Sequence, residues 1–324
     1  MRLVPVVVGL LLVLMLEPFR KVWSMSKFVH SGGRLDTLRR LSLVAKSYKH
    51  RSELGNLLGG RSSTSLIRLF NERPETIGVL VWPYQCASWD TATRLKRLRE
   101  HFDCVEKLAA PFNLGPNERM VVADLSFIRA GLRVVIDQPI WFLREGNLVI
   151  NFFVDRVRMY SLAFSLYEEE GTLTATIGSI QGRDREDAVE EYRYLTKQAH
   201  GMRPRDFLFE VFCMVCSYLA IERVYAVTNE DRHHTHPYFG NRIQKTSADY
   251  NEIWEERGGV RKNNSLYLLS VTERRRNLEE IPQKKRGMYR KRYEMLDRVR
   301  NVLTEGVKQL NANPVSAPHE QFDL

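Results

Sequence analysis

The sequence predicts an α+β fold: an antiparallel sheet with flanking helices, preceded by a helical N-terminal region. Three observations lead there. Residues 34–108 place apolar side chains at helical spacing. From residue 119 the pattern changes to β-rich runs joined by hairpin-length connections. Helical runs return after residue 186, segregated from those strands in sequence.

Leu35, Leu38, Leu41, Ala45 and Tyr48 share one face of a helix over residues 34–50, and Gly55, Gly59 and Gly60 are expected to break it. Ser65–Glu72 reads as a short helix closed by Pro74, and Ile77–Trp82 as a brief apolar run ended by Pro83. Ser88–Leu108 sets Leu95, Leu98, Phe102, Val105 and Leu108 on one helical face. The β-rich runs are Met120–Leu125, Arg133–Ile136, Asn147–Phe153, Arg158–Tyr167 and Thr172–Ile180; their short connections predict a meander. Within 158–167, Tyr160, Leu162, Phe164 and Leu166 form the larger alternating set and should face the core. Helices follow over Glu186–Ala199 and Phe207–Leu219, a strand over Val224–Thr228, a helix over Ala248–Arg257 and a strand over Leu266–Val271. A last helix, Lys284–Arg300, is basic on one side and carries Tyr289, Tyr293, Leu296 and Val299 on the other. The expected division is an apolar segment 1–24, a helical region 25–118, an α+β core 119–303 and a tail 304–324.

With 324 residues, 44% apolar and 27% charged, the chain can bury a large core, which excludes a mostly disordered protein. The net charge of +10 favours acidic partners: an anionic ligand such as a phosphorylated small molecule, an anionic membrane surface, or nucleic acid. Nucleic acid ranks last, because no recognised nucleic-acid module accompanies the charge. Cys86, Cys104, Cys213 and Cys216 are too sparse to staple the chain. Cys213 and Cys216 fall inside an apolar helix, where buried core thiols are expected, and no second pair completes a zinc ribbon. Leu3–Leu16 is an apolar run of 14 residues, short of the about 20 that a spanning helix needs. The basic flank Arg20, Lys21, Lys27, Arg34, Arg39 and Arg40 favours a cytoplasmic body. Two readings stand: the run anchors the chain, or Met25 is the true start.

No G-x-S-x-G, Walker loop or zinc-protease helix occurs. The strongest candidate site is Arg203-Pro204-Arg205. Proline suits the first helical position, and two guanidinium groups beside free amides can clamp a phosphate. Asp206 counters this, since a carboxylate in the first turn already satisfies the helix dipole. His200, before Gly201, is the candidate for proton transfer. His233, His234 and His236 read as solvated loop histidines, and no metal set is completed around them. Asp137 reads as a turn cap.

Several blocks occur in an order that resembles the bacterial VirK/YbjX family. They include Trp82-Pro83-Tyr84, Asp137-Gln138-Pro139-Ile140-Trp141, Ile177-Gly178-Ser179-Ile180-Gln181-Gly182, His200-Gly201-Met202-Arg203-Pro204-Arg205 and Pro282-Gln283-Lys284-Lys285-Arg286. The resemblance spans roughly Arg34 to Leu303. It implies a role in virulence or outer-envelope integrity in Gram-negative bacteria. The sparse thiols and the basic flank add the expectation of a cytoplasmic body, free, peripheral to the inner membrane or anchored in it. The resemblance brings no catalytic residue. The order sheet, glycine turn, helix, strand is also similar to acyl-CoA N-acyltransferases of the GNAT type. That likeness implies acyl-CoA as cofactor, with its phosphates on Arg203, Arg205 and the backbone after Gly201. The chain departs from that type in residues 183–199, an extra helix in place of a short glycine-rich loop. The rival expectation is a non-enzymatic adaptor or chaperone that binds lipid or client protein through its basic helices.

Overall fold

The computed structural model describes residues 17–30, 33, 35–59, 62–240, 248–272 and 275–315. The apolar run Leu3–Leu16 and the end of the predicted tail lie outside these residues. The N-terminal helices are α1 (Glu17–Val29), α2 (Asp36–Tyr48), α3 (Arg51–Leu58), α4 (Thr64–Glu72) and, after a 3-10 turn over Pro74–Leu80, α5 (Thr91–Glu106). Asp90 caps α5, its carboxylate accepting from the Thr93 amide at 2.8 Å. Strands β1 (Arg119–Asp124), β2 (Leu132–Asp137), β3 (Leu148–Val154), β4 (Val157–Glu169) and β5 (Thr172–Gly182) form the predicted antiparallel meander. Then come α6 (Glu186–Gln198), α7 (Pro204–Tyr218), β6 (Arg223–Val227), α8 (Tyr250–Glu256), β7 (Val260–Arg261), β8 (Leu266–Leu269) and α9 (Gln283–Ala312).

The α+β class holds, with one sheet in the order β1-β2-β3-β4-β5-β6-β8-β7. Only the β5–β6 pair is parallel, because the chain between those strands crosses over through α6 and α7. The parallel ladder joins Thr174–Ile177 to Arg223–Ala226 and then stops, while β5 runs on to Gly182. Gly178 lies just past that point, at a register shift against β4. A Cβ on Gly178 would stand 1.8 Å from the Glu145 carbonyl oxygen, so only glycine lets the 138–147 loop lie against β5.

Helix α7 packs under the sheet, with Phe207 on Phe152 and Phe212 on Phe164 at ring separations of 4.8 and 5.1 Å. The opposite face takes the N-terminal helices and the 138–147 loop. Both sets of β4 side chains are therefore buried: Leu162, Phe164 and Leu166 toward α7, and Ser161, Ala163 and Ser165 away from it. His101 of α5 accepts from the Leu166 amide at 3.0 Å, where β4 has run past the end of β3. Buried Arg73 and Arg94 staple the helical region, donating to the carbonyls of Gln138 and Pro116 and of Trp82. One apolar core runs from Phe19 through the sheet to Leu310.

Several local expectations change. Helix α1 runs through Met25 without a break and buries Phe19 and Val22. Gly55 sits inside α3 with open space where a Cβ would be, and Leu54, Leu57 and Leu58 hold that helix on the core. Helix α2 buries Leu43, Val44 and Ser47 rather than the predicted stripe. Helix α9 continues to Ala312, past Leu303, because Val307 and Leu310 prolong its buried stripe against β1. All four cysteines are buried and none forms a disulfide, and burial raises the Cys216 thiol well above its ordinary value. Among the described residues no helix is long and apolar enough to cross a membrane.

Candidate functional site

An arginine-lined cleft opens at the head of α7. The chain enters it through the end of α6, where His200 and Gly201 take left-handed φ values of 50° and 79°. That turn consumes amides: Gly201 donates to Thr196 O at 2.8 Å and Met202 to Ala199 O at 3.1 Å. Arg203 then stands at the N-cap position and Pro204 begins α7. The cleft has a volume of about 650 Å³ and lies between the first turns of α7, the end of α8 and the middle of α9.

Its two predicted arginines have different surroundings. Arg205 is half-buried and pairs with Asp206 at 3.0 Å and with Glu256 of α8. Burial opposes its charge, but Asp206 and Glu256 outweigh that and hold it above its ordinary value. Arg203 is exposed on the cleft wall and, among the described residues, meets no carboxylate. Three further arginines come from distant segments. Arg257 binds Asp206 at 3.1 Å and Glu210 at 2.7 Å. Arg292 of α9 donates to the His200 carbonyl at 2.7 Å and lies over the Tyr289 ring. Arg276 lines the mouth, its main chain bound on both sides by the Tyr293 hydroxyl. Four guanidinium groups (203, 257, 276, 292) thus line the cleft with three carboxylates (206, 210, 256), and Arg205, outside the lining, pairs with two of those acids from behind, which makes the local excess two positive charges. Arg205 and Arg257 pair with the three acids, Arg292 supplies the remaining balancing charge while held on the His200 carbonyl, and Arg203 and Arg276 are the cations turned to solvent.

His200 contributes its carbonyl to this wall, while the lining comes from Gly201 onward. Burial, followed by Lys291 and Arg292, lowers its imidazole below the ordinary histidine value. Its charged form is thus disfavoured beside these cations.

Helix α8 fills the gap where β5 and β6 part. The Tyr250 hydroxyl accepts from the Ile180 amide at 3.0 Å and donates to the Ile180 carbonyl at 3.2 Å. The Trp254 indole donates to Val227 O at 2.9 Å. The β5 edge, bare beyond Ile177, is satisfied by a side chain instead of a strand.

A second polar cluster sits on the sheet face away from α7. Glu145 is buried; it accepts from Ser179 Oγ at 3.0 Å and lies 3.5 Å from His233 Nδ1. Burial raises Glu145 to about 7 and lowers His233 to about 3. The contact is therefore between neutral groups below pH 7 and not a standing ion pair. His233 is not the solvated loop histidine expected from sequence, because the loop after β6 folds back over Glu145. His236 accepts from the Tyr238 amide at 3.0 Å. Among the described residues no His, Cys, Asp and Glu group has metal-site geometry. Asp137 is not a turn cap: it is buried at the end of β2, paired with Arg158 at 2.6 Å and Arg119 at 3.3 Å. Neither Glu145 nor the three distant arginines carried a sequence signal, since only the tertiary fold brings them to their partners.

A family profile described as a protein of unknown function (DUF535) matches residues 34–305. The uncharacterised protein YbjX of Escherichia coli K12 is 34% identical over 157 residues, 48% of each chain. Two uncharacterised proteins of Haemophilus influenzae are 34% identical over 156 residues and 35% over 129. These alignments cover 48% and 40% of this chain and 51% and 42% of the relatives. The chain thus spans about half the length of the curated relatives it matches. Matched over most of its length, from the second helix to the middle of the last, the chain belongs to the DUF535 family, the VirK/YbjX family of unknown function.

Proposed function

We propose that the cleft at the head of α7 binds a phosphorylated ligand, with acyl-CoA as the leading candidate and acyl transfer as the reaction it serves. The observation that carries this reading is the arginine excess, with Arg203 and Arg276 held open to solvent while Arg205 and Arg257 offset the local acids. A guanidinium meets phosphate oxygens through paired N–H groups, and the α7 N-terminus adds its partial positive charge. The amides of Gly201 and Met202 already close α6, so side chains carry the recognition.

Acyl-CoA is favoured over other phosphates by the sheet. One parallel pair, its ladder ending at Ile177 and Ala226 and its strands joined by a crossover through α6 and α7, is similar to the arrangement of GNAT-type acyltransferases. In that reading Glu145, with its proton near neutrality and its position beside the diverging strand, is the candidate proton acceptor on the opposite face. Tyr250 stands where a thioester arm would pass, so acyl transfer requires that side chain to move. Support for the outer envelope is the cellular context we attach to the activity.

Calorimetry with CoA, acetyl-CoA and longer acyl-CoAs tests the reading. Wild type should bind, and Arg203→Ala/Arg276→Ala should lose about tenfold or more in affinity, the loss expected for two charge-assisted contacts. Absence of binding by wild type removes the acyl-CoA reading. Binding of inorganic pyrophosphate without CoA would keep the phosphate site and remove the transferase.

A further inference from the structure

We infer that helices α1 and α2 form a docking surface for an anionic lipid bilayer, independent of the α7 cleft. Helix α2 is inverted relative to its sequence pattern. By spacing, α2 and its N-cap carry the apolar stripe Leu35, Leu38, Leu41, Ala45 and Tyr48. The fold buries a different side, Leu43, Val44 and Ser47, against the core. The stripe faces solvent instead, with Leu35 57%, Leu38 63% and Tyr48 47% exposed. Phe28, near the end of α1 where the chain turns toward α2, is 52% exposed. Single exposed apolar residues are ordinary; a helical stripe of them marks an interaction surface.

Charge selects the partner. Residues 17–59 hold nine Lys and Arg against three Asp and Glu, a net +6 of the chain's +10. Lys27, Arg39, Lys46, Lys49 and Arg51 are all exposed. The exposed aromatics carry cations on their faces: Arg51 lies 5.4 Å from the Tyr48 ring and Lys27 4.9 Å from the Phe28 ring. An apolar body with a basic rim is what a bilayer interface of anionic headgroups accepts. The sequence adds continuity, because the 14 residues Leu3–Leu16 immediately before α1 are also apolar. Tyr48 also touches buried Phe19, but Leu35 and Leu38, the most exposed members, lie outside the buried core and can enter the headgroup layer.

The test uses the full chain and vesicles of phosphatidylcholine alone or mixed with phosphatidylglycerol. Wild type should sediment with the mixed vesicles, far less with the neutral ones, and release as salt rises. Leu35→Gln/Leu38→Gln should weaken partitioning about tenfold or more, from the apolar surface withdrawn from the bilayer. Arg203→Ala/Arg276→Ala should bind as wild type does. A Leu38→Cys variant carrying an environment-sensitive dye should shift to the blue on mixed vesicles; the native cysteines are buried and leave that label specific. Indifference of wild type to anionic vesicles overturns the inference and leaves the stripe to a protein partner. Equal partitioning by the double glutamine variant also overturns it, and assigns any binding to Leu3–Leu16.

Discussion

Replacing Tyr250 by Phe removes one hydroxyl from the interior and tests how the sheet survives its own divergence. Beyond Ile177 the β5 edge has no strand beside it, and the Tyr250 hydroxyl serves both the amide and the carbonyl of Ile180, at 3.0 and 3.2 Å. Phe fills the same space and supplies neither bond. Two buried main-chain groups lose their partner at about 1–3 kcal/mol each, offset in part because no hydroxyl is buried any longer; the net cost is about 2–4 kcal/mol. For a chain of 324 residues the unfolding entropy is roughly 0.7 kcal/mol/K, so Tm should fall by about 3–6 °C. Hydrogen exchange localises the effect: the Ile180 amide should exchange roughly 30-fold faster or more, while amides in β2 and β3 change less. A variant with wild-type Tm and unchanged protection at Ile180 would show that water or a backbone shift satisfies this edge, and the plug would lose its structural role.

Other perturbations probe the remaining buried chemistry. Glu145 has a folded pKa of about 7 against an ordinary 4.5, so the native state keeps a proton that the unfolded chain has released between those values. Stability should therefore fall as pH rises through that window and level off above it; Glu145→Gln should abolish the slope and gain up to about 3 kcal/mol over wild type at pH 8, read by urea melts across pH. Asp137→Asn should cost about 3–5 kcal/mol, because buried Arg119 and half-buried Arg158 would lose the carboxylate they share; chemical denaturation at low and high salt measures it. Gly178→Ala places a Cβ 1.8 Å from the Glu145 carbonyl and should cost about 3 kcal/mol, seen as a lower melting temperature and poor soluble yield.

The fold was legible where local pattern and burial agree. Helix α5 has a helical stripe and a cap at Asp90, and β3–β5 have strand composition with short turns. It was not legible where burial is decided at a distance. Helix α2 shows a stripe that sequence assigns to the core, yet α1 and the 3-10 turn of Pro74–Leu80 occupy its other side. Gly55 reads as a breaker, but three leucines around it bury enough surface to hold α3 together. The same division runs through the candidate site. Pro204 at the first turn marks α7 and its two arginines. Arg257, Arg276 and Arg292 lie some 50 to 90 residues further on, and nothing local says that α8 and α9 return to the head of α7. Glu145, in an irregular loop, gained its buried neighbours only when Gly178 let that loop settle on β5.

The most direct measurement is a crystal structure of the chain grown with CoA. The account predicts phosphate oxygens within hydrogen-bonding reach of the Arg203 and Arg276 side chains, in the space between α7 and α9, with the Arg205–Glu256 and Arg257–Glu210 pairs intact. Phosphates bound elsewhere on the molecule, or a ligand that displaces those pairs while leaving Arg203 and Arg276 in solvent, would contradict it.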